Sequence, residues 1–167
     1  MLLGAPGLKH SSPKAPNITI ILYNSGLSNP AGGACRISPL QAIFDYMYEA
    51  RIEAWFAAAH HLMDFHGKCE RPHGHNYKVR VWSCGENLDA GGMLVDFGVL
   101  KSALGEVLAI LDHSDLNDIS EFEGNPSAER IARFIFNKIS GSHPEIPLRA
   151  IDVFETETSM ARYEPGH

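Results

Sequence analysis

Residues 73–83 read His73-Gly74-His75-Asn76-Tyr77-Lys78-Val79-Arg80-Val81-Trp82-Ser83, and their alternation decides the local structure. Tyr77, Val79 and Val81 fall on one side, opposite Lys78, Arg80 and Trp82, which is the period of a strand with one buried face. Carried back to His73, the same parity sets His73 and His75 on the apolar side. Residues 50–60 repeat the pattern, with Ile52, Ala54, Phe56, Ala58 and His60 in phase and Arg51 and Glu53 opposite. Two such strands laid antiparallel bring three imidazoles together.

Outward from this pair, Gly85 to Gly92 reads as a turn region. Phe97, Leu100, Leu104, Val107, Leu108 and Leu111 then recur at helical spacing. Asn125-Pro126 supplies an N-cap and an N1 proline for a second helix that turns Ile131, Phe134, Ile135 and Ile139 inward. Gly141, Pro144 and Pro147 are expected to stop it. Two further strands are expected at about 148–157 and 160–164. Strand pairs flanking paired helices predict an α+β domain, an antiparallel sheet with its helices on one face.

Composition bounds what such a domain can do. The chain has 167 residues, 44% of them hydrophobic and 20% charged, which suits one globular domain with a core. A net charge of −6 argues against a nucleic-acid binder, which carries a basic excess or stripe. No apolar run reaches the roughly 18 residues of a membrane helix, and no signal-peptide pattern opens the chain. Three cysteines, Cys35, Cys69 and Cys84, are too few and odd in number for a disulfide scaffold, so a reducing cytoplasm is expected. Residues 1–46 differ from the rest: they hold five of the ten prolines, one acid and a charge of +2, against −8 for residues 47–167. They are read as a flexible or non-native N-terminal extension, with a short strand at Ile18–Tyr23 as the alternative, and residues 47–167 as the domain.

Five of the nine histidines, His60, His61, His66, His73 and His75, fall between positions 60 and 75. His60, His73 and His75 share the apolar face, and three imidazoles with a vacant fourth position form a catalytic zinc site. Two other readings compete. Cys69, four positions before His73, could close a structural site, or the rings could be core residues hydrogen-bonded to backbone. Asp112 beside His113 can fix an imidazole tautomer at the end of the first helix. Glu155 shares parity with Ile151 and Val153, so an inward carboxylate in need of a partner is expected there.

Read in order, six motifs stand out: Phe56-Ala57-Ala58-Ala59-His60, Cys69 with His73-Gly74-His75-Asn76-Tyr77, Met93-Leu94-Val95-Asp96-Phe97, Leu111-Asp112-His113-Ser114-Asp115-Leu116-Asn117, Asn125-Pro126-Ser127-Ala128-Glu129, and Val153-Phe154-Glu155-Thr156. Together, over about Met47 to Pro165, they resemble the 6-pyruvoyl-tetrahydropterin synthase family, which includes the bacterial 6-carboxy-5,6,7,8-tetrahydropterin synthases of queuosine biosynthesis. The resemblance implies a tunnelling fold, a four-stranded antiparallel sheet with two helices between strands 2 and 3. It also implies an oligomeric barrel, a trimer or hexamer with active sites between subunits. His60, His73 and His75 would hold Zn2+, Cys69 would abstract a proton, and Asp112 and His113 would form a proton relay. Glu155 would anchor the pterin, with Glu129 as a further contact.

The implied substrate is 7,8-dihydroneopterin triphosphate. The short gap between Cys69 and His73 is similar to the carboxy-forming enzymes, which release triphosphate and acetaldehyde, whereas animal pyruvoyl enzymes more often carry an insertion there. His61 and Pro72 depart from the commoner arginine and leucine-like residue, and Ser127 replaces a common threonine. The alternatives are a 6-pyruvoyl-tetrahydropterin synthase on the same substrate and a non-catalytic zinc-stabilised assembly module.

Overall fold

The computed structural model describes residues 47–64 and 66–166. The extension expected over residues 1–46, with its alternative strand, lies outside the described residues. Six principal elements follow one another: β1 (Tyr48–His60), β2 (His73–Gly85), α1 (Phe97–Leu111), α2 (Ala128–Ser142), β3 (Leu148–Thr156) and β4 (Ser159–Tyr163). The sheet has the order β1-β2-β3-β4 with every neighbouring pair antiparallel, and both helices lie between its second and third strands. This is the expected α+β tunnelling fold. Three single-turn 3₁₀ helices, Lys68–Glu70, Leu116–Asp118 and Ser120–Phe122, fill the connections, where no periodicity announced them.

Strand alternation builds the core. Ile52, Phe56, Ala58, Tyr77, Val79, Val81, Ile151 and Val153 are buried on one sheet face and meet the apolar stripes of α1 and α2. α1 packs on β1, and α2 packs on β3 and β4. Ile135 of α2 is fully buried in this cluster. Its replacement by alanine is expected to cost about 2–5 kcal/mol through lost burial and a residual cavity, read as a lower urea midpoint with an unchanged m-value.

The opposite face is polar and closely paired. Arg80 donates to Glu53 at 2.7 Å and holds that carboxyl below its usual range. Asp152, 2% exposed, accepts from Trp82 Nε1 and from Arg162, while Arg51 and Arg162 both lie over the Trp82 ring.

Three local expectations shift. α2 starts two residues later than the Asn125-Pro126 pair suggested, because Ser127 is the N-cap and accepts from Arg130 N–H. The Pro126 carbonyl is instead the acceptor for His60. Phe97 is 53% exposed, although it falls on the apolar stripe of α1. Helical side chains lean toward the N-terminus, so one in the first turn overhangs the end of the helix. Finally, α2 runs through Gly141 to Ser142, and His143 rather than the glycine is its C-cap.

Candidate metal centre and active site

Register brings the histidines together. The β1–β2 ladder runs unbroken from Tyr48↔Gly85 to His60↔His73, so two of the imidazoles are cross-strand partners at its end. His75, two residues further along β2, projects to the same face. One nitrogen from each of the three rings lies within 4.8 Å of the others, and among the described residues this ligating group holds no cysteine or carboxylate.

His60 Nδ1 lies 3.0 Å from the Pro126 carbonyl, and His73 Nδ1 lies 2.7 Å from the Arg71 carbonyl. A carbonyl can only accept, so both Nδ1 atoms carry hydrogen, and in the neutral form of each ring Nε2 presents a lone pair. Those two Nε2 atoms stand 3.1 Å apart. His60 is 2% exposed, and burial pushes it below the ordinary imidazole range, which keeps the ring neutral. Two lone pairs facing each other in a buried site ask for a cation between them. Tetrahedral coordination with bonds of about 2.0–2.1 Å sets ligand nitrogens about 3.3 Å apart, close to the 3.1 Å between His60 and His73, with His75 within 4.8 Å. The donor set therefore fits a zinc-like ion.

Tyr77 closes the apolar side. Its ring stacks on Phe56 and stands edge-on to His60 and His75, and its hydroxyl is buried with no hydrogen-bond partner among the described residues. Burial drives the phenol well above its usual value.

Cys69, Glu129 and Glu155, from three separate elements, line one cavity of about 290 Å³, together with Leu62, Ser127 and Met160. Cys69 sits in the 3₁₀ turn Lys68–Glu70, and its carbonyl accepts from Leu62 N–H at 2.8 Å, tying the turn to the end of β1. Glu129 comes from the first turn of α2. Glu155 falls where the β3–β4 register shifts between Phe154 and Thr156. The bulge takes it out of the ladder and leaves it half-buried rather than buried. Among the described residues its carboxylate makes no hydrogen bond or ion pair, so its oxygens are available to a ligand's N–H donors.

Asp112 and His113 lie elsewhere. Asp112 caps α1 and accepts Ala57 N–H at 2.8 Å with one oxygen, while the other lies 2.9 Å from His113 Nδ1. The Ala57 bond, then His113, holds this carboxyl below its usual range. His113 N–H donates to Ala57 O, and Ala59 bridges Asp115, so residues 112–115 extend the outer edge of β1. His113 adopts a left-handed φ of 56°, and its side chain is 82% exposed. It lines a cleft of about 540 Å³ with Gly74, His75 and Asn76. Within one chain, Cys69 and His113 thus border different cavities, and His75 is the ligand shared with the second. Asn117 and the Pro126 carbonyl had no role on sequence grounds, yet both reach the metal centre's surroundings.

The family model for 6-pyruvoyl tetrahydropterin synthase matches residues 49–166. The chain belongs to that family. Among members of the 6-pyruvoyl tetrahydropterin synthase family, a 6-carboxy-5,6,7,8-tetrahydropterin synthase of Synechocystis is 41% identical over 114 residues, covering 65% of this chain and 86% of the relative. Its counterpart in Bacillus subtilis is 33% identical over 135 residues, covering 75% and 90%. The solved 6-pyruvoyl tetrahydropterin synthase of Caenorhabditis elegans superposes with a TM-score of 0.66 at 28% identity, over 74% of this chain and all of that one.

Proposed function

We propose that this chain is a zinc-dependent lyase that converts 7,8-dihydroneopterin triphosphate and one water to 6-carboxy-5,6,7,8-tetrahydropterin, triphosphate and acetaldehyde in the queuosine pathway. The observation that carries the reading is the separation of duties around β1 and β2. Three histidines form a ligating group without Cys69, and that thiol lines a neighbouring cavity with two carboxylates. The carboxy-forming names of the Synechocystis and Bacillus relatives, at 41% and 33% identity, support this product.

His60, His73 and His75 would hold the ion. A zinc ion held there would supply Lewis acidity toward oxygens of the substrate side chain and so raise the acidity of the adjacent C–H. Glu155 accepts N–H groups of the pterin ring and fixes its orientation, with Glu129 as the second carboxylate of the cavity. Cys69 removes the proton from carbon as its thiolate. Asp112 holds His113 by its Nδ1–H, leaving Nε2 to accept and return a proton.

Because Cys69 and His113 border different cavities within one chain, the site is completed by the Asp112–His113 pair of a neighbouring copy. β4 and the part of β1 before Ala57, which residues 112–115 leave uncovered, are the sheet edges through which copies would join into a trimeric or hexameric barrel. Among the described residues no helix is long and apolar enough to cross a membrane, and Cys69 is a free thiol, both of which suit a cytoplasmic enzyme.

The test is the product. Zinc-loaded protein is incubated with 7,8-dihydroneopterin triphosphate and the pterin is identified by mass spectrometry, with the 6-carboxy compound and acetaldehyde expected. A 6-pyruvoyl product would move the chain to the activity named for the nematode structure. Zinc-replete protein that releases no triphosphate would leave only a non-catalytic, zinc-stabilised assembly module.

A further inference from the structure

We propose that Asn117 is a positioning residue for the metal centre, its side-chain amide fixing both backbone segments that aim the His60 ring. The inference rests on the three-histidine metal reading above.

Two things set the direction of that ring. One is the course of the chain at the end of β1, and the other is the Pro126 carbonyl that receives Nδ1–H. Asn117 holds each of them. Its Oδ1 accepts His61 N–H at 2.9 Å and its Nδ2 donates to His61 O at 2.9 Å. This is the pair of bonds a neighbouring strand would supply where β1 has just left its ladder. The second Nδ2 hydrogen goes to Gly124 O at 2.8 Å, two residues before Pro126. Both carbonyls can only accept, which fixes the orientation of the amide without ambiguity. One planar group thereby locks residue 61 to residue 124, with the metal ligand on one side and its acceptor just beyond the other.

The support is itself rigid. Asn117 lies in the 3₁₀ turn Leu116–Asp118, where Leu116 is fully buried and the Asp115 side chain accepts Asn117 N–H at 3.0 Å. A second amide adds to the lacing, since Asn125 Oδ1 accepts Met63 N–H. Asn117 is neither in the ligating group nor among the residues lining the Cys69 cavity, so its effect on the ion passes through His60. Groups that orient a metal-bound histidine change metal affinity about 10- to 100-fold when removed.

The measurement is the zinc dissociation constant by chelator competition, with the visible absorption of the Co(II)-substituted protein as a second readout. Asn117→Ala removes these three bonds, with the 3.5 Å contact to His61 Nε2, and is expected to weaken zinc about 10- to 100-fold and to alter the intensity of the cobalt bands. Asn117→Asp keeps the acceptor for His61 N–H and loses both donors. It should shift affinity in the same direction and provides the test if the alanine variant does not fold. Ile135→Ala, a core change away from the site, should lower the melting temperature yet bind zinc as the wild type does. Asn117 variants with wild-type affinity would overturn the proposal. So would an Ile135→Ala loss as large as theirs, because the effect would then be general instability. Wild-type protein that binds no zinc would instead bring down the metal reading itself.

Discussion

Cys69→Ala is expected to keep its zinc and to lose about 10²- to 10⁴-fold in the rate of triphosphate release, the span that a positioned base contributes. Its sulfur is not in the ligating group, and the cavity it lines is bordered by Glu129 and Glu155 rather than by the metal-binding imidazoles. Removing the sulfur deletes one small, half-buried side chain, so folding should change by no more than about 1 kcal/mol. The fold-anchoring bond at this residue is made by its carbonyl, which alanine retains. Metal content and turnover should therefore separate: zinc per chain stays at the wild-type value while product formation collapses. A variant that loses its zinc would make Cys69 a fourth ligand and the site a closed structural one. A variant with full turnover would assign the proton to another base.

Much of this geometry was legible because alternation is a strong signal. Ile52, Phe56, Tyr77, Val79 and Val81 announced the buried face, and extending their parity put His60, His73 and His75 on it. Sequence could not give the register. The 61–72 connection is too long to be set by a turn type, and only the ladder makes His60 and His73 direct partners. Glu155 shows a second limit. Parity from Ile151 through Val153 predicts an inward carboxylate, and Glu155 does line the cavity beside α2, but a bulge against β4 leaves it half-buried, and nothing in Val153-Phe154-Glu155-Thr156 marks that bulge.

Asp112-His113 was readable as a neighbouring pair. Its attachment to the edge of β1 was not, since that depends on a free strand edge distant in sequence. Asn117 was hidden for a similar reason: its partners are 56 positions upstream and 7 downstream, and its three shortest bonds are to main-chain groups with no residue identity. The sequence reading put the N-cap of α2 at Asn125, whereas Ser127 caps the helix, and the bond from His60 to the Pro126 carbonyl agrees with the later start.

His73→Ala should produce the largest change in metal binding, with the unusual feature that its sign on stability depends on the metal. With zinc at a thousandfold excess over its dissociation constant, a wild-type site contributes about 4 kcal/mol, because only the folded chain assembles the ligands. For a domain of this size that is a rise in melting temperature of about 10–20 °C over the chelated protein. Loss of one of three nitrogens removes the binding and with it that increment. Without zinc the balance reverses. The His60 and His73 Nε2 atoms face each other at 3.1 Å while each Nδ1 donates to a carbonyl, and with both rings neutral this is an unfavourable pairing of lone pairs. Alanine at position 73 relieves it, at the cost of one partly exposed bond to Arg71 O. The metal-free variant should therefore melt no lower than the metal-free wild type, while the zinc-loaded wild type melts well above both. Thermal melts of the two proteins with zinc and with chelator read all four states. A wild type that chelation leaves unmoved, or a His73→Ala protein that binds zinc as tightly as the parent, would remove the metal from this site. A metal-free variant far less stable than its parent would show instead that the imidazole is held for packing, and that the facing lone pairs are bridged by a proton rather than an ion.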